Sequence, residues 1–197
     1  MICKRATLGY IYFMTRLITL TFYLFCLSFT SAANAQSHIE NQRLDKIHSK
    51  IMTDYPQLSH VSAEEITALL ADENVLFLDV REPKEYAVSH INGAIRVDPK
   101  IKAEDFNALY ADRVRGKTVV LYCSVGRRSS KLGDRVRADL MAAGARSVSN
   151  LEGGIFRWHN EDRPVTRETG TTEKIHPFNR WWSRLVARKD DIAYAAE

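Results

Sequence analysis

The chain has 197 residues and a formal net charge of +4 at pH 7. This length fits one ordinary domain with extensions and excludes two full domains. Three of its 28 basic residues and none of its 24 acidic ones lie within residues 1–35. The remaining residues therefore include 25 basic and 24 acidic side chains, and their net charge is close to zero. The basic balance therefore gives no support to a nucleic-acid-binding function, and no nucleic acid is expected as a partner.

Residues 1–35 differ in composition from the rest of the chain. They hold three basic residues and no acidic one, and residues 17–29 are almost wholly apolar or hydroxyl-bearing. Followed by the small-x-small sequence Ala33-Asn34-Ala35, this pattern predicts a secretory signal peptide cut after Ala35 and a periplasmic or secreted protein. The apolar run is shorter than the roughly 20 residues of a spanning helix, and an uncleaved N-terminal anchor is the alternative.

Loss of the signal peptide would leave one cysteine. Cys3 and Cys26 lie within residues 1–35, and Cys123 remains. An exported protein with a single cysteine forms no internal disulfide, so its thiol must be either protected or used. Use of the thiol is the favoured interpretation.

Helical and strand patterns alternate through the middle of the chain. Residues 36–56 carry apolar side chains at helical steps, which predicts a helical extension before the domain. Residues 57–165 form the predicted domain, an α/β fold with a parallel sheet flanked by helices on both faces. Strands are predicted over residues 58–61, 75–78, 95–97, 118–122 and 146–151. The predicted helices are one begun by a capping box at residues 62–65, one begun by Pro83, one that buries Phe106, Leu109 and Tyr110, and one over residues 129–143.

The stretch Tyr122-Cys123-Ser124-Val125-Gly126-Arg127-Arg128-Ser129 lies between a predicted strand and a predicted helix. Open α/β sheets bind ligands at this edge, where unpaired N–H groups and the helix dipole favour negative charge. Gly126 allows the loop to curl with its amides pointing inward. Since two arginines are close by in the chain, Cys123 is predicted to have a lowered pKa and to be largely thiolate. A lone cysteine is more often a small buried hydrophobic residue, but the two arginines and the glycine argue against that interpretation of Cys123.

Four motifs, in order, resemble the rhodanese (sulfurtransferase) domain over roughly residues 57–165. They are Leu78-Asp79-Val80-Arg81-Glu82-Pro83, Ser89-His90-Ile91-Asn92-Gly93-Ala94, the Cys123 loop, and Leu151-Glu152-Gly153-Gly154-Ile155. The resemblance implies a rhodanese-like fold. It also implies a sulfurtransferase that takes a sulfane sulfur from thiosulfate or a similar donor and passes it to a thiol or cyanide acceptor.

The resemblance implies roles for individual residues. Cys123 would be catalytic and would carry the sulfur as a persulfide. The substrate-binding residues would be Ser124, Val125, Gly126, Arg127, Arg128 and Ser129. The supporting residues would be Asp79, Arg81, Gly153 and Gly154. The Asp–Arg pair would orient the site, and the paired glycines would let backbone approach the loop. No metal and no organic cofactor is implied.

Loop length separates this chain from related phosphatases. Cysteine phosphatases place an arginine six positions after the cysteine, whereas here Arg128 is fifth and Ser129 is sixth. Ser124 stands where many rhodaneses carry a basic residue. Three alternatives stay open: a non-turnover sulfur-carrier or partner-binding module in the cell envelope, a redox thiol protein, and a phosphatase as the weakest. The absence of a resolving cysteine opposes the second.

The composition shifts again in residues 166–197. Residues 166–172 are predicted to be a polar linker, and residues 178–194 an amphipathic helix with Trp181, Trp182, Leu185 and Val186 on its apolar side. Packing on the domain's own surface is the favoured role for this helix. Contact with an envelope protein partner or a membrane surface is the alternative.

Overall fold

The computed structural model describes residues 35–69 and 74–196. The signal peptide predicted over residues 1–35 lies outside the described residues except for Ala35. Helix α1 runs over residues 35–54 and buries Leu44 and Ile51 against the domain. No helix within the described ranges is long and apolar enough to span a membrane.

Five strands form one parallel sheet. They are β1 (Ser59–Val61), β2 (Val75–Asp79), β3 (Ile95–Arg96), β4 (Thr118–Tyr122) and β5 (Ser147–Leu151). Their spatial order is β1-β5-β4-β2-β3, so β4 is the central strand. Asp79 pairs in register with Tyr122, and β2 and β4 therefore end side by side. Parallel neighbours require crossover connections, which the helices supply.

Four helices connect these strands, and a fifth follows β5. They are α2 (Ala63–Leu69), α3 (Pro83–Val88), α4 (Ala103–Tyr110), α5 (Arg127–Ala142) and α6 (Gly154–Asn160). The predicted capping box starts α2, since Ser62 N–H donates to the Glu65 carboxylate at 2.8 Å and Glu65 N–H to Ser62 Oγ at 3.1 Å. The prediction that Leu109 is buried is wrong, because its side chain is 62% exposed. In this short helix the buried pair is Phe106 and Tyr110, four residues apart on one face.

The side chains of β4 alternate between two hydrophobic cores. Val119 and Leu121 pack with side chains of α4 and α5 on one face of the sheet. Val120 and Tyr122 pack with side chains of α1, α2 and α6 on the other. Helices thus cover both faces, which confirms the predicted α/β architecture.

The polar linker predicted over residues 166–172 is instead a β-hairpin. Strand β6 (Val165–Arg167) pairs antiparallel with β7 (Gly170–Thr172). Threonines and valine fit a pleated strand, and Gly170 supplies the positive φ of +124° that the reversal needs. The hairpin is joined to the domain through His90 and Thr166, which exchange two backbone hydrogen bonds of 2.8 Å.

The amphipathic helix predicted over residues 178–194 is wrong. This stretch contains two short 3₁₀ turns, Trp182–Leu185 and Lys189–Asp191. The Asn179 side chain accepts hydrogen bonds of 2.9 Å from two backbone N–H groups ahead of it, which favours a local turn over a continuous helix. Residues 185–187 are buried one after another, a pattern that one face of a surface helix does not provide.

We call residues 176–191 the C-terminal loop. Its two ends meet, because Ile175 N–H donates to Asp191 O at 2.9 Å and Ala193 N–H donates to Ile175 O at 3.1 Å. Asn160 of α6 holds the middle of the loop, donating to Leu185 O at 2.9 Å and accepting from Ala187 N–H at 2.8 Å. The loop is therefore tied to the domain at its base and at its centre.

Candidate active site

Cys123 follows the last residue of β4 and is 1% exposed. Gly126, with φ +94°, turns the chain so that α5 begins at the next residue and the loop curls around the thiol. Burial by itself raises the pKa of the Cys123 thiol, but the Arg128 charge and hydrogen bonds from the Ser129 and Val125 backbone N–H groups outweigh it. The pKa of Cys123 is therefore lowered from its ordinary value, which favours the thiolate.

The Arg128 guanidinium is held in a fixed position beside this thiol. It donates two hydrogen bonds of 2.7 Å to the Glu85 carboxylate and one of 3.0 Å to Ser124 Oγ. The Phe178 ring lies over the guanidinium at 4.8 Å. Burial disfavours the guanidinium charge, but Glu85 and Cys123 outweigh that effect and raise the pKa of Arg128. Arg128 is thus a permanent positive charge next to the thiolate.

Glu85 is a central residue of the site that the sequence prediction did not include. It is 0% exposed and lies in the first turn of α3, where its carboxylate also accepts the Glu82 backbone N–H at 3.0 Å. Ser124 Oγ donates to the same carboxylate at 2.9 Å. Burial raises the pKa of Glu85. Hydrogen bonds from Arg128 and the charge of Arg128 lower this pKa by more than burial raises it, so the net shift is downward. Its sequence signal is an acidic residue shortly after Pro83, which is equally typical of a helix cap.

A cavity of about 150 Å³ opens over Cys123. Four of the predicted substrate-binding residues line it, namely Ser124, Val125, Arg127 and Arg128. Phe178 and Trp182 of the C-terminal loop complete the lining, and the sequence prediction included neither. Gly126 and Ser129, also predicted to bind substrate, lie outside it. Among the described residues no group of three or more His, Cys, Asp or Glu could hold a metal ion.

Asp79 and Arg81 form a buried ion pair beneath the site. Both are 0% exposed, and the guanidinium donates to the two carboxylate oxygens at 2.8 and 2.7 Å. It also donates to Ser89 O at 2.5 Å, which ties the end of β2 to the turn after α3. Burial opposes the guanidinium charge, but Asp79 outweighs this and raises the pKa of Arg81. Neither residue lines the cavity over Cys123, so the pair orients backbone rather than contacting substrate.

Gly153 and Gly154 bring α6 against the Cys123 loop. Both have positive φ, +67° and +58°. A Cβ on Gly154 would lie 2.4 Å from Cys123 O, and this close approach lets two N–H groups of α6 donate to the carbonyl oxygens of Cys123 and Ser124 at 2.9 and 3.1 Å. A Cβ on Gly153 would meet the flexible Arg157 side chain. Gly154 is therefore the glycine that the loop geometry requires.

Ser129 supports the thiol from behind rather than facing the cavity. Its hydroxyl lies within hydrogen-bonding reach of Cys123 and 2.6 Å from Asn150 Oδ1. Asn150 projects from β5, and its Nδ2 donates to Leu151 O at 3.2 Å and lies 3.4 Å from His60 Nδ1. The sequence prediction did not include Asn150, although a carboxamide in a short buried strand is a signal that could have identified it.

Comparisons with known proteins agree with this geometry. The family model for the Rhodanese-like domain matches residues 62–161. A tRNA uridine(34) hydroxylase of Oceanobacillus iheyensis is 35% identical over 125 residues, covering 62% of this chain and 37% of that protein. An uncharacterized protein of Synechocystis sp. is 28% identical over 107 residues, covering 54% of this chain and 55% of that protein. The chain thus spans a third to about half of the length of these curated relatives.

Solved structures include similar chains. A rhodanese-related protein from Thermoplasma volcanium is 27% identical, with a TM-score of 0.44, and the match covers 56% of this chain and 99% of that one. A human single-domain sulfurtransferase is 25% identical, with a TM-score of 0.37, and the match covers 50% of this chain and 93% of that one.

The family match takes in strands β2 to β5, the Cys123 loop, Glu85 and Gly154, whereas β1 lies just before it and the hairpin and the C-terminal loop lie after it. Glu85, Arg128 and Gly154, which support the Cys123 loop, therefore lie within the matched region. Phe178 and Trp182, which line the cavity over Cys123, lie outside it. With a parallel five-stranded sheet and a cysteine loop at the carboxyl end of its central strand, the chain belongs to the rhodanese-like family.

Proposed function

We propose that the protein is a sulfurtransferase that moves a sulfane sulfur from thiosulfate or a similar donor to a thiol or cyanide acceptor. The observation that carries the proposal is the Cys123 thiol, whose pKa is lowered by Arg128 and by backbone N–H groups at the carboxyl end of the central strand. A thiolate in such a setting is a nucleophile suited to covalent catalysis. Membership of the rhodanese-like family supports the same class of chemistry.

The proposed reaction has two steps. In the first, Cys123 Sγ⁻ attacks the outer sulfur of thiosulfate, a new S–S bond forms, and the original S–S bond breaks with sulfite leaving. The single charge of the thiolate and the double charge of thiosulfate end as a single charge on the persulfide and a double charge on sulfite. In the second step, cyanide or a thiolate attacks the terminal sulfur of the persulfide, and the Cys123 thiolate leaves.

The two loop arginines take different parts in this proposal. Arg128 is engaged by Glu85 and Ser124 and contacts the thiol, so it stabilises negative charge on sulfur in both the thiolate and the persulfide. Arg127 is exposed at the mouth of the cavity. Its charge attracts an anionic donor from solution.

Mass spectrometry tests the proposal directly. The full chain is measured before and after thiosulfate, and peptide mapping locates the added sulfur, because Cys3 and Cys26 are also present in the sequence. We expect Cys123 to gain one sulfur atom, and cyanide to remove it as thiocyanate. Cys123→Ser should gain none at this position. If the wild-type Cys123 gains no sulfur from thiosulfate, from an organic thiosulfonate or from a persulfide, the proposed function is wrong.

A non-turnover sulfur carrier is the second candidate. The observation that favours it is the 1% exposure of Cys123 beneath Phe178 and Trp182, which restricts the approach of an acceptor. A Cys123 persulfide that forms readily but persists in excess cyanide and small thiols would support the carrier. Rapid discharge would support the enzyme.

The setting of the reaction forms part of the proposal. The signal-peptide pattern of residues 1–35 supports a place outside the cytoplasm, where thiosulfate and small thiols would be the partners. The hydroxylation named for the Oceanobacillus relative belongs to a protein of which 37% is matched, and it is not proposed for this chain.

A further inference from the structure

The roof of the Cys123 cavity comes from outside the family domain. The family match ends at residue 161, whereas Phe178 and Trp182 belong to the C-terminal loop. Phe178 lies over the Arg128 guanidinium at 4.8 Å, and Trp182 packs against the core while also facing the cavity. A donor molecule bound in the cavity over Cys123 would therefore contact these two rings.

Phe178 is held in this place by a strained backbone. Its φ is +65°, in the left-handed region that a phenylalanine rarely adopts. Its N–H donates to Nδ1 of His176 at 3.0 Å, and His176 itself is 1% exposed. Next to it, Asn179 N–H donates to Pro177 O at 2.8 Å. Strain of this kind persists where surrounding contacts impose it, and it clusters at ligand sites.

The charge available to a donor inside the cavity is small. Arg128 donates to Glu85 and Ser124 and contacts the thiol, while the Phe178 ring covers one face of its guanidinium. The negative charge of Glu85, joined to Arg128 by two hydrogen bonds of 2.7 Å, offsets the positive charge of the guanidinium. Arg127, the other cation of the cavity lining, lies at the exposed rim. A strongly hydrated dianion such as thiosulfate would leave water for a cavity that gives it few polar contacts.

The same cavity suits an apolar substituent. Phe178, Trp182 and Val125 provide an apolar wall, and a volume of about 150 Å³ is enough for a benzene ring. Aromatic rings also pair favourably with one another in edge-to-face or offset arrangements. The substituent would lie under the C-terminal loop while the sulfane sulfur points to Cys123.

We propose that the C-terminal loop makes the site selective for organic thiosulfonates with an apolar group, R–SO₂–S⁻, over thiosulfate. The inference rests on the proposed sulfurtransferase function. In the transfer step Cys123 Sγ⁻ attacks the terminal sulfur of R–SO₂–S⁻, the S–S bond to the sulfonyl group breaks, and the sulfinate R–SO₂⁻ leaves. One negative charge stays on the persulfide and one leaves on the sulfinate, so charge and electrons balance.

The test compares two donors with the full chain. The value of kcat/KM for thiocyanate formation is measured with benzenethiosulfonate and with thiosulfate at a fixed cyanide concentration, and intact mass follows sulfur addition from each donor. We expect the wild-type ratio of benzenethiosulfonate to thiosulfate to exceed unity by about tenfold, and to fall by about that factor in Phe178→Ala. Phe178→Gly serves as a second variant, because glycine accepts the φ of +65° without strain.

Trp181→Ala is the matched control. Trp181 belongs to the same loop, is 57% exposed, stacks on Arg184 at 3.6 Å and does not line the Cys123 cavity. Its ratio should equal that of the wild type.

The possible results separate the two proposals. A wild type that prefers thiosulfate, or a ratio unchanged in Phe178→Gly while both donors add sulfur to Cys123, overturns the selectivity and leaves the sulfurtransferase function standing. If neither donor adds sulfur to Cys123, both proposals fail for these donors. A fall in the ratio confined to the Phe178 variants supports the selectivity.

Discussion

The carboxylate of Glu85 and the guanidinium of Arg128 are joined by two hydrogen bonds of 2.7 Å each, across 43 positions of sequence. The carboxylate comes from the first turn of α3 and the guanidinium from the first turn of α5. Through this pair, helix α3 fixes the position of the Arg128 guanidinium beside Cys123.

Replacement of Glu85 by glutamine should lower both stability and activity. The substitution removes one partner of a largely buried ion pair while Arg128, 24% exposed, keeps its charge. We expect a loss of about 2 kcal/mol in the free energy of unfolding, because partial exposure of Arg128 moderates the full cost of a broken buried pair. Urea denaturation measures the loss. Asp54→Asn is the control, since its ion pair with Lys50 is exposed and should contribute little. Equal effects of the two substitutions would contradict this account.

The reactivity of Cys123 should persist to lower pH than that of an ordinary thiol. Because Arg128 lowers the pKa of Cys123, Arg128→Gln should move the midpoint of thiolate formation to higher pH. The midpoint is read from the pH dependence of alkylation at Cys123, located by peptide mapping. Arg127→Gln should move it much less, because the Arg127 side chain is exposed and screened by solvent. A midpoint unmoved in Arg128→Gln would show that the backbone N–H groups alone determine the shift.

Gly154 should tolerate no side chain. In Gly154→Ala the new Cβ would lie 2.4 Å from Cys123 O, and the backbone has φ +58°. We expect a loss on the order of 3 kcal/mol in stability together with a large fall in sulfur transfer, because relief of the clash displaces the Cys123 loop. Gly116→Ala separates the two causes, since Gly116 has φ +70° and a Cβ added there would have nothing within 4 Å. Gly116→Ala should show only the smaller loss of stability that the positive φ causes, together with normal sulfur transfer.

The stability of the protein should decrease in acid partly through Glu85. Its folded-state pKa is lowered, so the unfolded chain binds a proton that the folded protein does not. The contribution is complete above the ordinary glutamate pKa and is lost as the pH falls through the lowered one. The stability difference between wild type and Glu85→Gln should therefore shrink across that window. Glu65→Gln provides a comparison, since the pKa of Glu65 is also lowered but its carboxylate is exposed. A wild-type to Glu85→Gln difference independent of pH would argue against this assignment.

Local patterns were enough to predict the strands of the sheet and the strand-to-helix loop that carries Cys123. Strand β4 is a β-branched run bounded by Gly116 and the Cys123 loop. Ser62 and Glu65 form a capping box. Each of these signals lies within a few consecutive residues of the sequence. The role of Glu85 was not predicted because its carboxylate both caps helix α3 and binds Arg128, and only the helix cap is formed by residues close in sequence. The partner that matters for the site is distant in sequence.

The C-terminal loop escaped prediction for a different reason. Its apolar residues have helical spacing, but the side chain of Asn179 and the strained Phe178 favour turns, and contacts with Asn160 replace helical hydrogen bonds. Such tertiary contacts override a periodic pattern. The placement of Phe178 over Arg128 depends on them, so no pattern within residues 178–194 indicates it.

The backbone hydrogen bonds from Ile175 N–H to Asp191 O and from Ala193 N–H to Ile175 O close the C-terminal loop at its base, so the segment leaves the domain and returns to it at one point. A closed excursion of this kind can change in length at a small entropic cost, about 0.6 kcal/mol for each doubling. Replacement of residues 177–182 by another sequence would then exchange the aromatic walls over Cys123, while the buried residues 185–187 and their hydrogen bonds to Asn160 stay in place. The part of the loop that covers Cys123 is in this sense separate from the part that belongs to the core, a division that chimeras grafted within residues 177–182 could exploit.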